Sequence, residues 1–161
     1  MKKLLVLSVV LIATGCTIFG GTDQEDGGAI YYNYKIVNDS GTDIEIIPYN
    51  KDGVKDYKNQ IVLKNGQNIN KLIKTKNNFG SDRLTMSQLL YTNGFLTKIE
   101  VVFNNTRKST FTDDCIYNNG VSTNCNSRNI FLLEYNDDKT EVYTITPEDY
   151  QNAIDCGGNC N

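Results

Sequence analysis

From residue 30 onward the chain alternates apolar and polar positions with the two-residue period of half-buried strands. In "IYYNYKIVN" (30–38), Tyr32, Tyr34, Ile36 and Asn38 share one face, while Tyr31, Lys35 and Val37 fall on the other. "TDIEIIPY" (42–49) alternates again, with Ile44 and Ile46 together, and the intervening "DSG" predicts a hairpin between the two runs. "QIVL" (60–63) and "QNINKLIKT" (67–75) are further strands, separated by the turn sequence "KNG". "SDRLTMSQLLYTNG" breaks the rhythm, because Leu84, Met86, Leu89 and Leu90 fit a helical turn, which Asn93-Gly94 ends. Strands resume in "FLTKIEVVFNN", and Asn104-Asn105 turns the chain into "RKSTFT". "IFLLEY" (130–135) and "EVYTIT" (141–146) flank "NDDK" and read as another hairpin.

The sharpest local signal is "TPEDYQNAI". Thr146 suits a helix cap, Pro147 its first position, and Glu148 and Asp149 the positive end of its dipole. Asp149, three residues after Thr146, completes a shortened capping box, and the helix is expected to turn Tyr150, Ala153 and Ile154 toward the sheet. The fold class that follows is mainly β: an antiparallel β-sandwich-like domain, a short helical turn near 84–92 and a short C-terminal helix.

Ahead of this domain, Lys2 and Lys3 precede an apolar run, Leu4 to Ile12, and the small residues Ala13-Thr14-Gly15 lead into Cys16. Such a run is too short to span a bilayer, which takes about 20 apolar residues, and has the three parts of an export signal. The motif ending at Cys16 resembles the lipobox of bacterial lipoproteins. "YKIVNDSGTDIEIIPYN", "KIEVVFNN" and "YTITPEDYQNA" behind it resemble a group of small lipoproteins of Gram-negative envelopes. That resemblance implies cleavage before Cys16 and diacylglyceryl and acyl chains (palmitate among them) on Cys16. It also implies an outer-membrane address, since Thr17 stands where inner-membrane lipoproteins often carry aspartate. The family supplies no catalytic residues. The expected organisation is signal peptide 1–15, flexible tether 16–28 and a single β-rich domain 29–161. Two or three acyl chains anchor firmly where one does so marginally.

Cleavage leaves 146 residues, enough to bury a core without metal or cofactor, and takes the formal net charge from −3 to −5. Nothing basic clusters in the linear sequence, so nucleic acid is not an expected partner, and net charge alone makes anionic lipid repel the domain. The chain contains no histidine, which excludes Ser-His-Asp and Cys-His nucleophiles and removes the commonest zinc ligand. No cofactor is implied. Beyond Cys16, the four cysteines of an exported chain suggest two disulfides, for which three pairings exist. Nearest-neighbour pairing, Cys115–Cys125 and Cys156–Cys160, is the simplest.

Dense charge is confined to Asp113-Asp114, Asp137-Asp138 and Glu148-Asp149. A turn, a loop and a helix start account for each pair locally, and "NKDGVKD" lacks the ligand order of an EF-hand. Tyr31, Tyr32, Tyr34 and Tyr49 form a candidate binding face, since a tyrosine ring offers an apolar surface and a hydroxyl. The expected function is a lipid-anchored, non-catalytic envelope module contacting a protein, glycan or peptide. The alternative is a small carboxylate-based hydrolase or a hydrolase accessory subunit, which needs two convergent carboxyls.

Overall fold

The computed structural model describes residues 30–75, 86–90, 96–113, 126–136 and 138–160. The chain is mainly β and forms two sheets, as the alternation predicts. Its strands are β1 (Ile30–Asn38), β2 (Ile44–Pro48), β3 (Ile61–Leu63), β4 (Asn68–Thr75), β5 (Lys98–Phe103), β6 (Arg107–Thr112), β7 (Thr140–Ile145) and β8 (Ile154–Asp155). A three-stranded sheet runs β4-β1-β7 and a five-stranded sheet β3-β2-β5-β6-β8. One pairing departs from the expected antiparallel pattern: β1 lies parallel to β7. The long stretch of chain between those strands supplies the return path that parallel neighbours need.

The expected β1–β2 hairpin does not form. β1 pairs with β4 and β7, whereas β2 pairs with β3 and β5 in the other sheet. The reason lies in Asn38, which is fully buried. Its Nδ2 donates to Thr42 O at 2.8 Å and Leu63 O at 2.9 Å, and its Oδ1 accepts from Ser40 N at 3.1 Å and Ser40 Oγ at 2.7 Å. Those bonds satisfy backbone groups that a ladder cannot reach where the chain changes sheets. The partner strands cross beside it, with Gly66 N donating to Asn38 O at 2.7 Å and Gly66 at a left-handed φ of 80°. The first four strands are therefore one long antiparallel ribbon, bent at Asn38 and Gly66 so that half lies in each sheet.

Between the sheets, Tyr34 and Ile36 of β1 and Tyr143 and Ile145 of β7 meet Ile44 and Ile46 of β2 and Ile99, Val101 and Phe103 of β5. Full burial of each such side chain contributes roughly 1.5–3 kcal/mol. The expected helical turn is α1 (Met86–Leu90), which inserts Met86 into this core. Residues 130–135 are not the expected strand. Ile130 and Phe131 plug the core from a turn, followed by a 3-10 turn at Leu133–Tyr135. Two buried asparagines replace the missing ladder. Asn129 accepts from Phe131 N and donates to Thr112 O at 2.9 Å, while Asn136 donates to Ile130 O and Leu132 O and accepts from Met86 N.

The remaining turn and helix follow the sequence closely. Asn104 and Asn105 adopt φ of 43° and 55° between β5 and β6, as a tight hairpin turn requires. The C-terminal helix α2 (Pro147–Asn152) carries the complete Thr146–Asp149 capping box. Its Tyr150 packs on Phe103 and Ala153 is buried, but Ile154 points outward, because the chain leaves the helix at Ala153 and becomes β8.

Candidate functional site

On the outer face of the five-stranded sheet, strand alternation collects Ile47 and Tyr49 from β2 and its flank, Lys98, Glu100 and Val102 from β5, and Lys108 from β6. Ile47 stands opposite Glu100, and Val102 opposite Lys108. Lys55 arrives from the loop after β2, which folds back through a bridge between Tyr49 and Lys55. Glu100 is the centre of this cluster, with its side chain 4 % exposed. Its Oε2 meets Lys55 Nζ at 2.9 Å, and its Oε1 lies 3.6 Å from Lys108 Nζ and 4.0 Å from Lys98 Nζ. Lys98 also sits over the Tyr49 ring, 4.0 Å from its centroid.

The C-terminal segment covers this face. Cys160 is buried against Ile47 and Val102, with Cys156 beside them, and Lys55 Nζ donates to Cys160 O at 3.3 Å. Cys156 and Cys160 stand at disulfide distance, their Cα atoms 5.2 Å apart, as nearest-neighbour pairing predicts. Burial pushes the Glu100 carboxyl upward, but the Lys55 ammonium, the Tyr49 hydroxyl and the Lys108 charge outweigh it and hold the group below the usual glutamate range. Tyr49 shifts the other way, raised by burial and by the neighbouring carboxylate.

A second carboxylate, half-buried, is Asp149. Arg128 grips it with Nε at 3.0 Å from Oδ1 and Nη2 at 2.8 Å from Oδ2, the two-point geometry that guanidinium offers carboxylates. The same guanidinium lies 4.9 Å from the centroid of Tyr143 and donates to Thr144 O, and Tyr143 Oη donates to Arg128 O at 2.6 Å. Burial raises the Asp149 carboxyl; Arg128 and the Thr146 backbone and hydroxyl lower it further than burial lifts it. The result is a structural clamp that ties residues 126–136 to β7 and α2.

The candidate tyrosine face does not assemble. Tyr34 is fully buried, its hydroxyl donating to Asp138 O at 2.9 Å, and Tyr49 lies buried on the opposite sheet. Tyr32 is half-buried against the core and edge-on to Tyr34, so of the four rings Tyr31 alone is exposed. Alternation had put Tyr32 and Tyr34 on the inward face, and inward means covered. Cys16, Cys115, Cys125, Asp114 and Asp137 lie outside the described residues. Among those described, no three His, Cys, Asp or Glu side chains group as metal ligands, and no helix is long and apolar enough to cross a membrane.

Sequence reading overlooked Glu100. Its signal was a carboxylate inside the apolar run "KIEVVF", on the face shared with Lys98 rather than with Ile99 and Val101. No family model matches this chain, and neither a curated protein nor a solved structure does.

Proposed function

We propose that this protein is a non-catalytic contact module of the cell envelope, held at a bilayer through acylated Cys16. What supports the non-catalytic reading is the state of the buried Glu100 and half-buried Asp149 carboxylates. A carboxylate hydrolase needs two convergent carboxyls, one of them held protonated as the acid. Glu100 and Asp149 are both drawn below their ordinary range by cations. Nor do they converge: Glu100 is on the outer face of the five-stranded sheet, while α2 packs its Tyr150 on Phe103 of the inner face. Each carboxylate is occupied in holding a loop in place.

Two measurements test the proposal. Cys16→Ser is expected to move the protein from the detergent phase to the aqueous phase on phase separation, and continued partitioning with detergent overturns the anchor. Cross-linking in intact envelopes followed by pull-down is expected to recover a stoichiometric envelope protein, glycan or peptide partner. Hydrolysis of an envelope glycan or peptide by purified protein, lost in Glu100→Gln or Asp149→Asn, would instead establish an enzyme.

A further inference from the structure

The outer face of the three-stranded sheet is defined by what it carries and what it lacks. Register places Tyr31 opposite Lys74, Asn33 opposite Leu72, and Lys35 opposite Val142. Leu72 is 65 %, Val142 52 % and Tyr31 45 % exposed, and Lys74 Nζ lies 5.7 Å from the centroid of the Tyr31 ring. The other positions on this face are Asn, Thr and one Val. None is Asp or Glu, in a chain with 19 acidic residues against 16 basic ones. On the opposite outer face the Cys156–Cys160 segment covers Ile47 and Val102, while Val62 and Ile154 stay exposed.

Position supplies the second argument. β1 opens at Ile30, next to Tyr31 and paired with Thr75 beside Lys74. Residues 17–29 separate that point from Cys16, and a chain of this length and composition reaches about 20 Å. An acylated Cys16 therefore keeps this end of the sheet within about 20 Å of lipid. At that range the surface behaves as a ligand at roughly millimolar effective concentration, so an intrinsically weak face suffices to set orientation. Tyrosine rings favour the headgroup zone, exposed leucine inserts below it, and lysine stems lie along the apolar layer with their charge among phosphates.

We propose that this face rests on the bilayer carrying the anchor, with Tyr31 and Leu72 among the headgroups and Lys35 and Lys74 beside anionic lipid. The inference rests on the anchor reading above. It also qualifies the repulsion expected from net charge, because no strand position on this face is Asp or Glu.

Amine-acylation footprinting of the full mature chain, bound through its own Cys16 modification to vesicles of phosphatidylethanolamine and phosphatidylglycerol, tests the proposal. The reference is the Cys16→Ser chain free in solution. Lys35 is expected to label on the order of fivefold more slowly on vesicles, while exposed Lys64 is unchanged. Leu72→Glu is expected to abolish the protection. Val62→Glu, an equally exposed strand position in the other sheet, is expected to leave it intact. Equal labelling of Lys35 on vesicles and in solution overturns the proposal. So does concentration-dependent protection of the Cys16→Ser chain without lipid, which identifies a second copy as the occupant. Failure of the intact chain to float with vesicles defeats the anchor reading instead, and this inference falls with it.

Discussion

Lysine 55 and glutamate 100 make an asymmetric pair, and removing either one has a different cost. Their Nζ and Oε2 atoms are 2.9 Å apart, the glutamate side chain 4 % exposed and the lysine 17 %. At an effective dielectric of about 20 the gross attraction is about 6 kcal/mol, most of it offset by desolvation. Lys55→Met strands a carboxylate that cannot rehydrate. Lys108 at 3.6 Å and Lys98 at 4.0 Å compensate it in part, so the expected loss sits at the lower end of broken buried pairs, about 3 kcal/mol. Glu100→Gln keeps the shape and leaves three ammonium groups with more access to water, for a loss of about 1–2 kcal/mol. The double variant is expected to resemble Glu100→Gln alone, because no charge remains for Lys55 to neutralise.

The sign with pH follows from the direction of the shift. Glu100 titrates below its unfolded value in the native protein, so its contribution is complete above the unfolded carboxylate range and is lost as pH falls through the folded pKa. In Lys55→Met the carboxyl moves upward, and acid protonates it and relieves the strain. The gap between wild type and Lys55→Met is therefore expected to shrink from pH 7 to pH 4. The chain has ten tyrosines and no tryptophan, so urea unfolding is followed by tyrosine fluorescence. A loss of about 3 kcal/mol moves the midpoint by about 2 M. A Lys55→Met midpoint no lower than that of Glu100→Gln, or a gap unchanged with pH, refutes the reasoning.

Two other substitutions probe the frame. Asn38→Ala removes four side-chain hydrogen bonds at the sheet crossing and is expected to cost about 2–4 kcal/mol in urea unfolding. A loss below about 1 kcal/mol contradicts the role given to that amide. Asp149→Asn breaks both the capping box and the Arg128 clamp, for about 2–3 kcal/mol at neutral pH. Because Asp149 is also held below its ordinary range, this difference is expected to vanish in acid, and one that persists below the folded pKa contradicts the shift.

Period-two alternation located β1 and β2 and the inward faces of Tyr34, Ile36, Ile44 and Ile46, because a sheet with one buried face imposes that pattern residue by residue. Capping chemistry located α2 for the same local reason. What alternation cannot encode is which strand pairs with which. "DSG" carries turn composition, yet there it serves a change of sheet, and the deciding contacts run from Asn38 to Leu63 and Gly66, far along the chain. The run "IFLLEY" illustrates the complementary failure. A short apolar stretch has no period of its own, and Asn129 and Asn136 at its ends supply the backbone bonds that let it remain a buried turn. At positions 38, 129 and 136 a buried asparagine amide supplies the backbone bonds that no ladder provides.

The same distinction separates the two outer faces. Glu100 and its lysines cross-link β5, β6 and the loop bearing Lys55 beneath a C-terminal cover, with three ammonium groups sharing the one carboxylate. Polar groups so engaged stabilise a surface and leave little to offer a partner. The face of Tyr31, Leu72 and Val142 is built around no such carboxylate: its apolar side chains stand in solvent, where burial against an external surface still yields free energy at roughly 25 cal/mol per Å². Contact with lipid, glycan or protein is favoured where that gain remains unspent. On the three-stranded sheet that gain remains beside Ile30, where β1 begins; on the other sheet it remains at Val62 and Ile154.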